Sequence, residues 1–326
     1  MLTGKFIIFY GIRNLSTKPQ TFIKNIKFPT IDNKIVTLDA VYEDNLPGGS
    51  SVGTIVALHG AFGSHHDFQQ IRYPNQKLLN EERQSYTNAL LDELNIPGNV
   101  VYLGHSRGAE NALITAVERP KACVGLVVLN SVGLREAKCQ KMCNSVSRIY
   151  WSLPEWIGDY LLHKGFKMSG YKYLKDGKSA IISIDAVLSV GMTDNLPYIA
   201  KINETNIKIC AMYSGNDHLI EKEIGSEILD HYKNLEKFDF ESEIDENSID
   251  AILKAIIIKK DGHYQNKTRA DLIAKILQSI LFNFMIRRRD ALLRKRNSSK
   301  ICDVSCARPD VDSSQFKVTE FYFKYS

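Results

Sequence analysis

The chain has 326 residues, of which 44% are hydrophobic and 24% are charged, a balance typical of a globular protein with one large core. No apolar stretch reaches the length of a membrane-spanning helix, so the sequence predicts no such segment. The net charge of +5 comes largely from one basic run near the C-terminus, and we therefore expect no nucleic acid as a partner.

The N-terminal region combines a basic arm with the first predicted strands. Residues 1–31 contain five basic side chains and no acidic one, a bias shared by mitochondrial presequences and by basic arms. We interpret residues 1–21 as an N-terminal arm of a cytoplasmic protein, with mitochondrial targeting left open. Alternating apolar residues over 22–28 and 34–42 then predict an antiparallel hairpin.

The segment Gly104-His105-Ser106-Arg107-Gly108 is the most informative in the chain. It lies between an apolar stretch that predicts a strand, 99–103, and a stretch with helical periodicity, 109–117. A glycine-flanked serine between a strand and a helix is typical of the nucleophile elbow, which presents the serine hydroxyl at the sheet edge. The same pentapeptide occurs in ordinary turns, so the prediction of Ser106 as a nucleophile depends on this context.

A nucleophilic serine needs a histidine base and an acid that orients the histidine. Two later apolar segments, 207–213 and 254–258, predict strands, and the loops after them contain Asp217 and His263. Ligands bind at the carboxyl ends of strands in open α/β sheets, so we predict Asp217 as the acid and His263 as the base. A rival acid, Asp185, lies in a predicted helix and ranks below Asp217.

Acyl transfer also needs hydrogen-bond donors for the negatively charged oxygen of the transition state. One predicted donor is the backbone N–H of Arg107, which directly follows the nucleophile. The second is predicted at Ala61 or Phe62, in a loop that follows the apolar strand 53–58.

No histidine has metal-ligand spacing with carboxylates. The pairs Cys139/Cys143 and Cys302/Cys306 could be metal half-sites, but four-residue steps also occur on a helix face and no histidine accompanies either pair, so we expect neither a metal nor a cofactor. Cys123 and Cys210, in or beside predicted strands, are interpreted as small core residues.

These motifs resemble the α/β-hydrolase superfamily over about residues 20–285. Residues 63–68 and 104–113 are similar to a nematode-expanded branch whose substrates are unknown. The resemblance implies an α/β fold with a mostly parallel sheet, helices on both faces and a helical cap. It also implies a serine hydrolase of carboxylic esters, thioesters or lipid-like acyl substrates. A carbon–carbon bond hydrolase on the same three residues stays open.

One departure from the family pattern affects the centre of the sheet. The family places a helix, a strand and a second helix between the strands predicted at 53–58 and 99–103. Residues 80–94 take up the second helix, and 60–79 are too few for the remaining elements. We therefore expect one central strand to be missing, with a sheet edge exposed or the hairpin closed against strand 53–58. A catalytically inactive binding protein is the alternative that this gap leaves open.

The predicted organisation is a core of residues 22–134 and 206–285, a helical cap of 135–205 and a disordered basic tail of 286–326. The cap contains both tryptophans among several aromatic residues, of which we expect at least two to line a substrate pocket. The tail begins with the basic run from Arg287 to Arg296. Peripheral contact with an anionic membrane, a nuclear import signal and a solvated helix extension are the open interpretations.

Overall fold

The computed structural model describes residues 20–44, 53–60, 80–96, 98–169, 176–233, 235–241, 254–297 and 317–323. The strands in these ranges are β1 (Gln20–Pro29), β2 (Ile35–Asp44), β3 (Thr54–Leu58), β4 (Val100–His105), β5 (Cys123–Leu129), β6 (Lys208–Ser214), β7 (Glu236–Phe240), β8 (Lys254–Ile258) and β9 (Lys317–Phe323). The helices are α1 (Asn80–Glu93), α2 (Gly108–Glu118), α3 (Lys138–Ser152), α4 (Glu155–Met168), α5 (Gly177–Leu188), α6 (Leu196–Ile202), α7 (Lys222–Leu229), α8 (Gln265–Thr268) and α9 (Ala270–Asn297).

All nine strands form one sheet in the order β1-β2-β9-β3-β4-β5-β6-β8-β7. The neighbours from β9 to β7 pair in parallel, whereas β2 is antiparallel to both β1 and β9. The mostly parallel α/β architecture expected from the sequence is therefore confirmed, as is the opening hairpin of β1 and β2. The edge strand β7 was not predicted.

The central strands are buried on both faces because helices cover each side of the sheet. One face of the parallel strands packs with α1 and α2, and the other packs against α9. Side chains alternate between the two layers, as the two-residue period of a strand requires: Val101 and Leu103 face α9, while Val100 and Tyr102 face the opposite core. Each fully buried leucine or isoleucine contributes about 1.5–3 kcal/mol to stability.

The sheet position next to β3 is occupied by β9, and this corrects two expectations. Thr319 of β9 lies opposite Val56 of parallel β3 on one side and opposite Asp44 of antiparallel β2 on the other. The expectation of an exposed edge, or of direct pairing between the hairpin and β3, was wrong. Residues 61–79, from which a strand of the family pattern is expected to be missing, lie outside the described residues.

The C-terminal part of the chain is more ordered than expected. The helix α9 continues through the basic run to Asn297, and residues 317–323 form the strand β9. The prediction of disorder over residues 286–326 was therefore wrong for both stretches, because each is incorporated into regular structure. None of the described helices combines the length and apolarity needed to cross a membrane.

Four helices, α3 to α6, connect β5 to β6 in the region predicted as a helical insert. The helices α3, α4 and α5 share a small core of their own, to which α3 contributes Tyr150, α4 contributes Leu162, and α5 contributes Ile181 and Ile184. A side-chain hydrogen bond begins α5, where the Asp176 carboxylate accepts the backbone N–H of Ser179 at 2.7 Å. We refer to α3–α6 as the insert.

The described cysteines behave as packing residues. Cys123 and Cys210 are buried in β5 and β6, as the sequence predicted. Cys139 and Cys143 lie one turn apart on α3, where burial raises their pKa values to about 12 and about 11. Such thiols stay protonated at neutral pH, and no cluster of metal-ligating side chains occurs in the described ranges. The pair Cys302 and Cys306 lies outside them.

Candidate active site

Ser106 occupies a strained turn between β4 and α2. Its φ of 54° lies in the left-handed region that few residues other than glycine adopt. A Cβ atom on Gly108 would lie 2.2 Å from the carbonyl oxygen of Leu58, and one on Gly104 would lie 2.5 Å from the Cα of Ala109. The turn therefore requires glycine on both sides of the serine, as the elbow motif predicts.

The loop after β3 begins directly against this serine. A Cβ atom on Gly60 would lie 2.6 Å from the Cβ of Ser106 and 3.2 Å from its Oγ. Arg107 occupies the N-cap position of α2, whose N-terminus favours negative charge. Its buried side chain lies beside the Glu110 carboxylate, with Nε–Oε2 at 3.7 Å. Ala61 and Phe62, the other predicted donors, lie outside the described residues.

His263 and Asp217 are hydrogen-bonded partners at the ends of β8 and β6. Nδ1 of His263 lies 2.7 Å from Oδ2 of Asp217, and both side chains are buried. The second carboxylate oxygen accepts the backbone N–H groups of Leu219 at 2.7 Å and Ile220 at 3.0 Å. Burial opposes ionisation of Asp217, but the His263 ring and these N–H groups outweigh it and lower its pKa below 3.8.

The ionised carboxylate determines which nitrogen of His263 carries the proton. A carboxylate only accepts hydrogen bonds, so Nδ1 of His263 must donate to it. In the neutral ring, Nε2 then retains the lone pair of a base. This is the tautomer that a general base opposite a serine requires.

A second set of hydrogen bonds holds the backbone of the histidine loop. The carbonyl oxygen of His263 accepts from Asn130 Nδ2 at 2.7 Å and from His105 Nε2 at 2.9 Å. Asn130 also donates to Ser214 Oγ at 3.0 Å, and Ser214 donates to the Gly262 carbonyl at 2.7 Å. The loops after β4, β5, β6 and β8 are thereby joined into one network. Sequence patterns did not identify Asn130 or Ser214.

His105 takes part in this network as a neutral side chain. Burial, together with the nearby His263 ring, lowers the pKa of His105 from 6.5 to about 3. Its Nε2 therefore donates to the His263 carbonyl without a positive charge. These contacts are those of a side chain that holds a loop in place.

A cavity of about 430 Å³ lies between the elbow and the insert, and both Ser106 and His263 line it. Most other lining residues are aliphatic and come from α3, α4, α5 and the loops after β5 and β6. Tyr150 and Phe166 also line it, in agreement with the expectation that at least two aromatic residues of the insert face a pocket. The cavity has the size and apolar character of a small-molecule site.

The other acid considered from the sequence lies elsewhere. Asp185 is on α5 beside Ser147, and burial raises the pKa of its carboxyl group. The structure thus brings His263 together with Asp217, and it places Ser106 on the cavity that His263 lines.

The topology, with a serine at the strand–helix elbow, defines the α/β-hydrolase class. Residues 18–74 and 69–282 match the family described as alpha/beta hydrolase of unknown function (DUF1057), and the chain belongs to that family. An uncharacterized protein of Caenorhabditis elegans, F35H12.5, is 24% identical over 305 residues, which span 78% of this chain and 85% of that protein.

Two solved structures have the same fold. Homoserine O-acetyltransferase from Staphylococcus aureus is 12% identical, with a TM-score of 0.54 over 82% of this chain and 95% of that chain. Esterase E22 is 10% identical, with a TM-score of 0.54 over 81% of this chain and 100% of that chain. At such identities the likeness concerns the fold alone, since one fold supports different chemistries.

Proposed function

We propose that the protein is a serine hydrolase that cleaves carboxylic esters or thioesters with lipid-like acyl groups. The observation that carries this proposal is the shared cavity. It is lined by Ser106, held at a left-handed turn, and by His263, whose Nδ1 is hydrogen-bonded to Asp217. Membership of an α/β-hydrolase family supports the same reaction class.

In the proposed reaction, Ser106 Oγ attacks the acyl carbonyl carbon while His263 Nε2 takes the hydroxyl proton. His263 then gives this proton to the leaving alkoxide or thiolate, which departs as an alcohol or thiol and leaves an ester on Ser106. A water molecule attacks the carbonyl carbon of that ester while His263 takes a proton from the water. The bond to Ser106 Oγ then breaks as His263 returns the proton to that oxygen, which gives the carboxylic acid and the free serine. Asp217 stabilises the imidazolium in both halves.

The oxyanion of each tetrahedral intermediate would lie near the start of α2, where the backbone N–H of Arg107 is one proposed donor. The loop that starts at Gly60 would supply the second donor, at Ala61 or Phe62. The close approach of Gly60 to Ser106 supports this placement.

The cavity lining supports an alkyl-chain substrate. The side chains that surround it beyond Ser106 are mostly aliphatic, so an acyl chain would exchange water for apolar contacts along its length. We expect kcat/KM for nitrophenyl esters to rise by up to about fourfold per added methylene group until the cavity is filled. An inactive binding protein was suggested by a missing strand, and the continuous pairing through β9 weakens that reason.

A fluorophosphonate probe tests the proposal, because it reacts covalently with activated serines. The folded protein is expected to be labelled, and the Ser106→Ala variant is expected to be unlabelled. Ser169→Ala is the matched control, since Ser169 lines the same cavity and should leave labelling unchanged. Absence of labelling in the folded wild type, or equal labelling of Ser106→Ala, would contradict the proposal. Turnover of esters by the unmodified wild-type protein separates it from a carbon–carbon bond hydrolase.

A further inference from the structure

The helices α3 and α4 carry seven large apolar side chains that are 51% to 80% exposed, and six of them precede Met168. We name these six the insert patch: Met142, Ile149, Trp151, Trp156, Tyr160 and Leu161. It includes both tryptophans of the chain. Single exposed apolar residues are common on proteins, but a group on two adjacent helices marks an interaction surface.

Half of the insert patch borders the candidate site. Three of its members, Met142, Ile149 and Leu161, are exposed and also line the cavity that contains Ser106. A protein partner seated on the patch would cover the entrance to this cavity. A lipid surface would instead bring acyl chains to it, so continuity with the cavity favours lipid as the occupant.

The charges around the insert patch also favour lipid, and specifically anionic lipid. The two helices carry five exposed basic side chains: Lys138, Lys141, Arg148, Lys164 and Lys167. Their two acidic side chains have partners within the insert, since Glu155 pairs with Lys178 and Asp159 accepts the Tyr150 hydroxyl at 2.7 Å. Tryptophan and tyrosine next to lysine and arginine are typical of helices that lie in the interface of an anionic bilayer.

We infer that α3 and α4 dock on an anionic phospholipid bilayer, with the insert patch in the headgroup region and the cavity entrance facing the lipid. An acyl substrate would then pass from the bilayer to Ser106 without crossing bulk water. The delivery step rests on the proposed function, whereas the docking itself does not. The docking surface is separate from the basic run of α9, which the sequence suggested as a membrane contact.

Intrinsic tryptophan fluorescence tests the docking directly, because both fluorophores are in the insert patch. The Ser106→Ala protein is mixed with vesicles of phosphatidylcholine alone or of phosphatidylcholine with phosphatidylserine. Only the anionic vesicles are expected to sediment the protein and to shift its emission to shorter wavelength, and added salt should weaken both effects. Sedimentation without an emission shift, or no sedimentation, would overturn the inference.

Matched variants locate the contact. Lys141→Gln, Arg148→Gln, Lys164→Gln and Lys167→Gln together should lower partitioning onto anionic vesicles by about a thousandfold. The control removes the same number of charges from α9, through Arg287→Gln, Arg288→Gln, Arg289→Gln and Arg294→Gln, and should change partitioning by less than about tenfold. The reverse ranking would assign the contact to α9 and overturn the inference.

Apolar variants make the same comparison without a change in charge. Trp151→Ser with Trp156→Ser should lower partitioning by about tenfold or more. Ile23→Ser with Ile35→Ser is the control, since these side chains are 60% and 67% exposed on the β1–β2 hairpin. Circular dichroism establishes that each variant is folded. A dimer in analytical ultracentrifugation that the tryptophan variant dissociates, without vesicle binding by the wild type, would assign the patch to a second copy.

Enzyme assays with the active protein connect docking to substrate delivery. The tryptophan variant should hydrolyse a vesicle-embedded ester about tenfold more slowly and a water-soluble short ester at the wild-type rate, because neither tryptophan lines the cavity. An equal loss on both substrates would overturn the delivery step. A protein that binds vesicles but hydrolyses neither ester would contradict the proposed function and leave the docking standing.

Discussion

The two sides of the sheet are built in different ways. The strands β3, β4, β5, β6 and β8 are short apolar runs whose loops at the carboxyl ends lead to the site, and side chains join neighbouring loops. From β1 to β3, the connection runs through β9, which comes from the other end of the chain. The site side depends on local sequence signals and short hydrogen bonds. The hairpin side is joined to the sheet by one distant strand, although β1 also packs on α1, where the rings of Phe28 and Tyr86 are in contact.

Because of this difference, the residues proposed for catalysis and the strand expected to stabilise the sheet lie in separate parts of the molecule. Ser106, Asp217 and His263 lie after β4, β6 and β8, away from the strand that completes the sheet. Changes in their network should alter turnover more than unfolding, and changes in β9 should have the opposite effect. Four substitutions test this division, beginning with the largest expected effect.

Asp217→Asn tests the site side. The asparagine amide can donate to Nδ1 of His263 and hold the wrong tautomer, so kcat should fall by about four orders of magnitude. The thermal midpoint should change by only a few degrees. Steady-state ester hydrolysis is the measurement, and Asp185→Asn, which should remain within about twofold of wild type, is the control. Near-normal turnover of Asp217→Asn would show that another group orients the histidine.

Thr319→Pro tests the hairpin side. Proline removes a backbone donor from a strand that is paired on both sides, which should lower the free energy of unfolding by about 3 kcal/mol or more. Thr319→Val keeps the backbone N–H and should change it by less than about 1 kcal/mol. Urea denaturation measures both. Equal stability of the two variants would mean that β9 contributes little to the sheet.

His105→Gln tests how the site side responds to acid. The folded protein keeps His105 neutral down to about pH 3, whereas the unfolded chain binds a proton below about pH 6.5. Stability is therefore lost as the pH falls through this window, by about 2 to 3 kcal/mol at about pH 4.5. Glutamine binds no proton and can still donate to His263.

Denaturation at neutral and acidic pH measures this effect as a difference. Between neutral pH and about pH 4.5, the free energy of unfolding should fall by about 2 to 3 kcal/mol less in His105→Gln than in the wild type. The exposed His231→Gln variant is the control and should behave as wild type. An unchanged acid response in His105→Gln would refute the assignment.

Asn130→Gly tests the side-chain hydrogen bonds that hold the His263 loop. Asn130 has a φ of 42°, which glycine adopts freely, so the substitution removes the side-chain bonds to His263 and Ser214 without backbone strain. A less firmly held histidine should lower kcat by about tenfold with little change in KM. Asn33→Gly is the control, since Asn33 also has a positive φ, 59°, but lies in the hairpin turn. A similar kcat in both variants would remove the positioning role of Asn130.

The predictable features are those whose signals are local. The hairpin and the strands from β3 to β6 and β8 follow from alternating or continuous apolar runs, and Gly104 and Gly108 indicate the elbow because only glycine fits there. Asp217 and His263 follow from their positions directly after strands. Their hydrogen bond agrees with this reading, while the catalytic roles stay predictions until turnover is measured.

The remaining features depend on contacts between distant residues. Lys317–Phe323 is rich in β-branched and aromatic residues, a strand signal, but it follows a basic tail and no local pattern says where it pairs. Three of the five residues of the edge strand β7 are charged, so its apolar signal is weak. Asn130 donates a hydrogen bond to the carbonyl oxygen of His263, in another loop. A single asparagine has no sequence pattern that predicts such a contact.

The insertion of β9 has a consequence for the order in which the molecule acquires its structure. The hairpin of β1 and β2 is synthesised first but is joined to the rest of the sheet only by β9, the last described element of the chain. Closing a sheet through such remote partners slows folding, because loop entropy is lost before the contacts form. In pulse-labelled hydrogen exchange during refolding, amide protection in β1 and β2 should therefore appear after protection in β4 and β5. On the ribosome, the site-forming strands would then pair with one another before β9 is available to pair with the hairpin.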